Sequence, residues 1–173
     1  MIEGEKSVSE IVIRRGQKAD IPALLDIYNY EVLHGVATLD LEPRTLDEWP
    51  LWYEAHNVDN HPLYVAELDG QVAGYASLSA YRTKEAYRST VELSVYIRPD
   101  YRRKGIASKL MESILEEGRR DDRTHLIVFV ITAGNEASER LHEAFGFEYV
   151  GTLREVGIKQ GQYRDTVEYA LYV

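Results

Sequence analysis

The chain has 173 residues and a mass of 19.8 kDa, with 45% apolar and 28% charged residues. This is the composition of one globular domain and excludes a disordered chain. It contains no cysteine, which excludes disulfides, thiolate metal sites and a cysteine nucleophile. Its 20 basic and 29 acidic residues give a net charge of −9, which argues against broad attraction to nucleic acid or an anionic membrane but leaves room for a local anion site.

Residues 1–9 are mixed polar and charged without an apolar signal segment, so they are expected to be disordered, with one domain over 10–173. No stretch approaches the ~18 apolar residues of a membrane span, and a soluble cytoplasmic protein is expected. Ile11 to Arg14 reads as a short strand. Asp20 to Leu33 has helical spacing, with Asp20 as the expected cap, Pro22 in the first turn and Gly35 as the stop. Thr45 to His56 reads as a second helix, since Thr45 and Glu48 form a capping-box pattern.

Leu63 to Glu67 and Val72 to Leu78 read as a hairpin around Asp69-Gly70. Thr90 to Ile97 alternates, with Val91, Leu93, Val95 and Ile97 on one face and Glu92, Ser94 and Tyr96 on the other. Gly105 to Arg120 is a helix with one apolar stripe. Leu126 to Ile131 is an unbroken apolar run and reads as a central strand. Asn135 caps a helix that reaches Phe145. Tyr149 to Val156 and Tyr163 to Val173 are final strands around a turn over Gly157 to Gly161. The order predicts an α/β (α+β) fold with a mixed sheet.

The segment Val91 to Leu110 carries the chemistry. A strand ends at Ile97, a loop with Arg98, Arg102, Arg103 and Lys104 follows, and a helix starts at Gly105. The first turn of that helix offers unpartnered N–H groups and the positive end of the helix dipole. Gly105 and Ala107 leave room for a ligand against the backbone. Together these make an anion cradle suited to a pyrophosphate. The P-loop and dinucleotide fingerprints are both missing.

Arg102-x-x-Gly105-x-Ala107 resembles the Arg-or-Gln-x-x-Gly-x-Gly-or-Ala motif of the GNAT superfamily of N-acetyltransferases, which holds the pyrophosphate of acetyl-CoA. The element order is similar over nearly the whole chain. Thr90-Val91-Glu92, the stretch Leu141 to Phe147 and Gly151-Thr152-Leu153-Arg154 resemble the phosphinothricin and methionine sulfoximine branch. Tyr28-Asn29, Trp49 and Lys159-x-Gly161-x-Tyr163-x-Asp165 fit that branch too. Leu39 departs from it, standing where members often carry an aromatic residue.

The resemblance implies a GNAT-like three-layer fold of about seven strands and about four helices. It implies acetyl-CoA as co-substrate, with contacts from Val95, Tyr96, Ile97, Arg102, Arg103, Lys104, Gly105, Ile106, Ala107, Ser108 and Asn135. It implies Glu92 as the base that removes a proton from the acceptor amine, and His142 as a second catalytic residue near the reacting groups. Arg82 and Arg88 are the expected grip on an acceptor carboxylate, since a guanidinium can hold a carboxylate by two parallel bonds.

The remaining histidines, His34, His56, His61 and His125, lack metal-ligand spacing, and no metal is expected. The acceptor implied is a small amino-acid-like amine. A protein N-terminus or lysine, and a non-catalytic CoA-binding module, are the competing readings. A homodimer is implied, and the tyrosine-rich C-terminal strands are either its interface or part of the core. Neither nucleic acid nor a membrane is an expected partner.

Overall fold

A computed structural model describes residues 10–173. The segment 1–9, expected to be disordered, lies outside the described residues. Seven strands form one sheet: β1 (Ile11–Arg15), β2 (Leu63–Leu68), β3 (Gln71–Ala80), β4 (Thr90–Ile97), β5 (Leu126–Thr132), β6 (Glu148–Lys159) and β7 (Gln162–Tyr172). Their spatial order is β1-β2-β3-β4-β5-β7-β6. Every neighbouring pair is antiparallel except β4 and β5, which run parallel. Four α-helices flank the sheet: α1 (Ile21–His34), α2 (Trp49–Glu54), α3 (Ile106–Arg120) and α4 (Glu136–Ala144). This is the mixed α/β architecture that the element order predicts. Among the described residues no helix is long and apolar enough to cross a membrane.

Side-chain alternation in the strands separates two cores. Ile106, Leu110, Met111, Ile114 and Leu115 of α3 are buried against Ala66, Ala76, Leu78, Leu93 and Ile127. On the opposite face, Leu24 and Ile27 of α1 meet Leu63, Val65 and Tyr75. Trp49 of α2 packs beside Ile21 and Leu25.

Both hairpins follow from their turn residues. Asp69 (φ 53°) and Gly70 (φ 74°) are left-handed, as a two-residue turn that matches strand twist requires. Gln160 (φ 53°) and Gly161 (φ 70°) repeat that turn between β6 and β7. The turn expected over Gly157 to Gly161 is therefore shorter. Gly157 and Ile158 stay in β6 opposite Arg164 and Tyr163, after a register shift that begins at Leu153.

Two helix starts also differ from expectation. Asp20 does not cap α1; its carboxylate accepts the N–H of Gln17 (2.7 Å) and two guanidinium N–H groups of Arg14 (2.8 Å each), and a 3-10 turn over Lys18–Asp20 intervenes. The helix expected over Thr45 to His56 is only Trp49–Glu54. Glu48 does accept bonds from the Thr45 N–H (3.0 Å) and hydroxyl (3.1 Å). Pro50 has no N–H to return to the carbonyl of Leu46, so that turn does not join α2.

The feature that positions the site is a fork. The β4–β5 ladder runs from Thr90–Leu126 and stops at Glu92–Val128. Beyond it β4 is bonded to β3 alone and β5 to β7 alone. Alternate N–H groups of Leu93 to Ile97 therefore face the gap without a strand partner.

Candidate active site

The fork opens into two adjoining hollows. One, of about 530 Å³, is lined by Glu92, Ser94 and Tyr96 of β4, Ser77 and Ser79 of β3, Tyr28 of α1 and the loop Ala37 to Asp40. The other, of about 470 Å³, is lined by Arg102, Arg103, Gly105 to Ser108, Leu141 and His142. Val95, Tyr96, Asn135 and Ser138 border both. Each volume lies in the range of small-molecule sites.

The second hollow is the anion cradle. Gly105 caps α3 at φ 80°, and Arg103 before it has φ 61°. Left-handed residues in this loop turn successive N–H groups toward one side, a concavity that binds anions. A Cβ on Gly105 would meet nothing within 4 Å, so the glycine answers to its φ and the space beside the helix start is open. Arg102 is ion-paired with the Glu31 carboxylate, and its Nε donates to the Ile97 carbonyl (3.4 Å). Gly35 makes this pair possible, because a Cβ there would fall 2.0 Å from Glu31 Oε2. Asn135 Oδ1 accepts the N–H of Ser138 (3.4 Å) and so caps α4. Exposed cations, helix-start N–H groups and an open wall fit a diphosphate with an attached amide arm.

The first hollow is where a base would work. Glu92 stands at the last paired position of the fork, half-buried. Burial, and after it the nearby Glu168 carboxylate, pushes its pKa above the ordinary carboxylate value. Tyr28 donates its hydroxyl hydrogen to Asp40 (2.6 Å); burial and that carboxylate push its pKa up to about 12. Burial and nearby acidic groups raise Tyr96 further. Both phenols therefore keep their protons at neutral pH.

Among the residues lining this hollow, Arg44 is the basic one. Its backbone is held by Asn29, whose side chain donates to the Arg44 carbonyl (2.9 Å) and accepts the Arg44 N–H (2.8 Å). Its Nε donates to Asp40 (3.0 Å). The loop between these anchors is held at two further points, Val36 and Thr38. Thr132 donates to the Val36 carbonyl (2.6 Å), and the buried Lys159 ammonium donates to the carbonyls of Thr38 (2.6 Å) and Glu31 (3.3 Å). Leu39 lies so close to β6 that a Cβ on Gly157 would be 3.0 Å from its Cδ1.

The structure brings together most of the residues singled out in the sequence. Glu92 lines the first hollow; Arg102, Arg103, Gly105, Ile106, Ala107 and Ser108 line the second; Val95, Tyr96 and Asn135 border both. Ile97 also lines the second, whereas Lys104 does not and lies with its Nζ 4.9 Å from the Tyr101 ring centre.

His142 lines the second hollow, whereas Glu92 lines the first. Its ring stacks on Phe129 at 3.4 Å, and its Nδ1–H donates to the Ser138 carbonyl (2.7 Å). Burial pushes its pKa down to about 4, so the ring is neutral at physiological pH. Arg82 and Arg88 line neither hollow. Arg82 lies over the Tyr81 and Tyr87 rings (4.9 and 5.8 Å), and Arg88 is exposed beside Glu85 (3.5 Å). Arg44, Asp40, Ser79 and Glu31 escaped the sequence reading, because nothing local ties a loop arginine or a helix carboxylate to a strand far away in the chain.

A model of the acetyltransferase (GNAT) family matches residues 26–147. The chain is 38% identical over 155 residues to the L-methionine sulfoximine/L-methionine sulfone acetyltransferase of Salmonella typhimurium, covering 90% of each chain. It is 40% identical over 164 residues to the phosphinothricin N-acetyltransferase of Streptomyces coelicolor, covering 93% of this chain and 95% of that one. An acetyltransferase from Salmonella typhimurium, solved with its cofactor acetyl-CoA, superposes with a TM-score of 0.90 at 37% identity, covering 95% of this chain and 94% of that one. The chain belongs to the GNAT family of acetyl-CoA-dependent N-acetyltransferases.

Proposed function

We propose that this enzyme transfers an acetyl group from acetyl-CoA to the amine of a small amino-acid-like acceptor of the phosphinothricin, methionine sulfoximine or methionine sulfone type. The observation that carries the reading is the half-buried Glu92 at the fork, in a polar hollow that adjoins an anion cradle. The names of the relatives support the acceptor class.

Acetyl-CoA supplies its acetyl group as a thioester. Arg102, Arg103 and the N–H groups at Gly105 to Ser108 hold its diphosphate. Unpaired N–H groups of Val95 to Ile97 polarise the thioester carbonyl. An α-amine has a pKa of about 8, so it arrives protonated, and an ammonium has no lone pair to attack with. Glu92 takes one of its protons, directly or through a water. Its raised pKa makes it a stronger base than an exposed carboxylate. As the new C–N bond forms and the C–S bond breaks, coenzyme A leaves as its thiolate and takes up the second proton that the nitrogen sheds, directly or through water. Tyr96 donates a hydrogen bond toward the sulfur but keeps its own proton, because its pKa lies well above that of a thiol. Arg44 receives the acceptor carboxylate in place of Arg82 and Arg88. His142 acts as a neutral wall of the cofactor groove.

The enzyme works in the cytoplasm as a homodimer. Strand β6 is an edge of the sheet, and Tyr149, Val150, Leu153, Val156 and Ile158 on it, with Tyr163 on β7, are each at least half exposed. Such an edge is stabilised by pairing with a second copy.

Thiol release from acetyl-CoA against a panel of amines tests the reaction. The panel holds phosphinothricin, methionine sulfoximine, methionine sulfone, ordinary amino acids and short peptides. Release with the analogues and not with peptides is the expected result. Release with peptides alone would move the acceptor to protein N-termini or lysines, and release with none would overturn the reading.

A further inference from the structure

His56, just after α2, is buried at 5% exposure, and no step of the acetyl transfer uses it. Its ring stacks on Trp52 with centroids 4.2 Å apart. Its Nδ1 lies 2.7 Å from the Trp52 carbonyl oxygen, and a carbonyl only accepts, so Nδ1 carries the hydrogen. Burial lowers the pKa of the ring, which keeps it neutral with a single N–H. Nε2 is then a bare acceptor. It lies 2.8 Å from Ser79 Oγ, so the Ser79 hydroxyl donates its one hydrogen to it.

That commitment fixes what Ser79 offers to the hollow. Ser79 lines it and is the register partner of Glu92 across β3 and β4. Cross-strand partners have Cβ atoms about 4.5–5.5 Å apart on one face. The wall there presents a carboxylate and a hydroxyl oxygen with only lone pairs free. Two adjacent acceptors match a protonated amine, which has several N–H donors. They match an alcohol poorly, because its one hydrogen can satisfy only one of them.

We infer that Ser79 is a second acceptor for the amine beside Glu92, and that His56 is the positioning residue that sets the direction of the Ser79 hydroxyl. The inference rests on the reading of Glu92 as the base. The ammonium gives one proton to Glu92, a remaining N–H stays on Ser79 Oγ, and the nitrogen lone pair is left facing the thioester carbon. The same pair favours amines over alcohols as acceptors.

The test compares wild type with Ser79→Ala, Ser79→Thr, His56→Phe and the His56→Phe/Ser79→Ala double variant, all checked for an unchanged melting temperature. Ser79→Ala is expected to raise the amine KM about tenfold with the acetyl-CoA KM unchanged. Ser79→Thr, which keeps the hydroxyl, restores it. His56→Phe keeps the stack on Trp52 and is expected to shift the amine KM in the same direction. Added to Ser79→Ala it costs nothing further, because its effect runs through Ser79. A wild-type amine KM in Ser79→Ala would overturn the inference, as would a full additive loss in the double variant. If His56→Phe does not fold, the Ala and Thr variants of Ser79 decide alone. Failure here with an active wild type leaves Glu92 as the base, whereas a wild type inactive toward every amine removes both.

Discussion

Lys159→Met tests whether the acceptor hollow depends on strands far from it in sequence. Lys159 is 3% exposed, and burial lowers the pKa of its ammonium below the usual lysine value. The variant keeps most of the stem and removes two hydrogen bonds. The Glu31 carbonyl also accepts the Gly35 N–H (3.0 Å), so it stays satisfied. The Thr38 carbonyl, at 2.6 Å from Nζ, loses its donor. One orphaned, partly buried carbonyl, offset by no longer burying an ammonium, comes to about 1 kcal/mol, or about 2–4 °C in melting temperature. The Thr38 carbonyl belongs to the loop Ala37 to Asp40 that walls the hollow. Its release should raise the acceptor KM about tenfold, equal to ~1.4 kcal/mol, with the acetyl-CoA KM unchanged. Scanning calorimetry and initial-rate kinetics read both numbers. A lower melting temperature with an unaltered acceptor KM would show that this loop does not shape the acceptor site. An unaltered melting temperature would refute the reasoning about the carbonyl itself.

Glu168→Gln removes the second charge that raises the Glu92 pKa. Since Glu92 works deprotonated, the acidic limb of kcat/KM should move to lower pH, while the burial contribution keeps it above that of a free carboxylate; a limb that stays put would remove Glu168 as a neighbour of the base. Gly74→Ala places a Cβ 2.8 Å from the Tyr96 carbonyl and 2.6 Å from Ile97 Cδ1. Overpacking of this kind costs about 1–3 kcal/mol. The displaced Tyr96–Ile97 edge should lower kcat/KM for acetyl-CoA by up to ~10²-fold. Normal acetyl-CoA kinetics in a folded Gly74→Ala variant would contradict the assignment of that edge to the thioester.

The parts of this fold that read directly from sequence are those whose causes are local. Asp69-Gly70 dictates a turn, the apolar stripe from Ile106 to Leu115 dictates a buried helix face, and Gly105 marks a helix start. Glu92 was placed correctly on the polar side of a strand, because alternation fixes the face. What failed was competition between local and distant partners. Asp20 has the right chemistry for a cap, but Arg14 on β1 offers a stronger, charged partner. Thr45 and Glu48 make their bond, yet Pro50 moves the helix start past them. Arg82 and Arg88 sit close to Glu92 in sequence yet line neither hollow, whereas Arg44, on a loop that α1 clamps through Asn29, lines the first. The fork itself leaves no mark on β4, since whether a parallel partner continues or diverges is decided by what lies between the strands.

Single-turnover acetyl transfer at pH 7, with acceptor and acetyl-CoA both saturating, in wild type and Glu92→Gln, tests the central claim most directly. Removing the base at constant shape should slow transfer by ~10²-fold or more with acetyl-CoA affinity unchanged. Protonating the carboxyl costs the native state nothing in its half-buried place, so the Gln variant should be at least as heat-stable as wild type at that pH. Wild-type transfer rates in a folded Glu92→Gln variant would contradict the account.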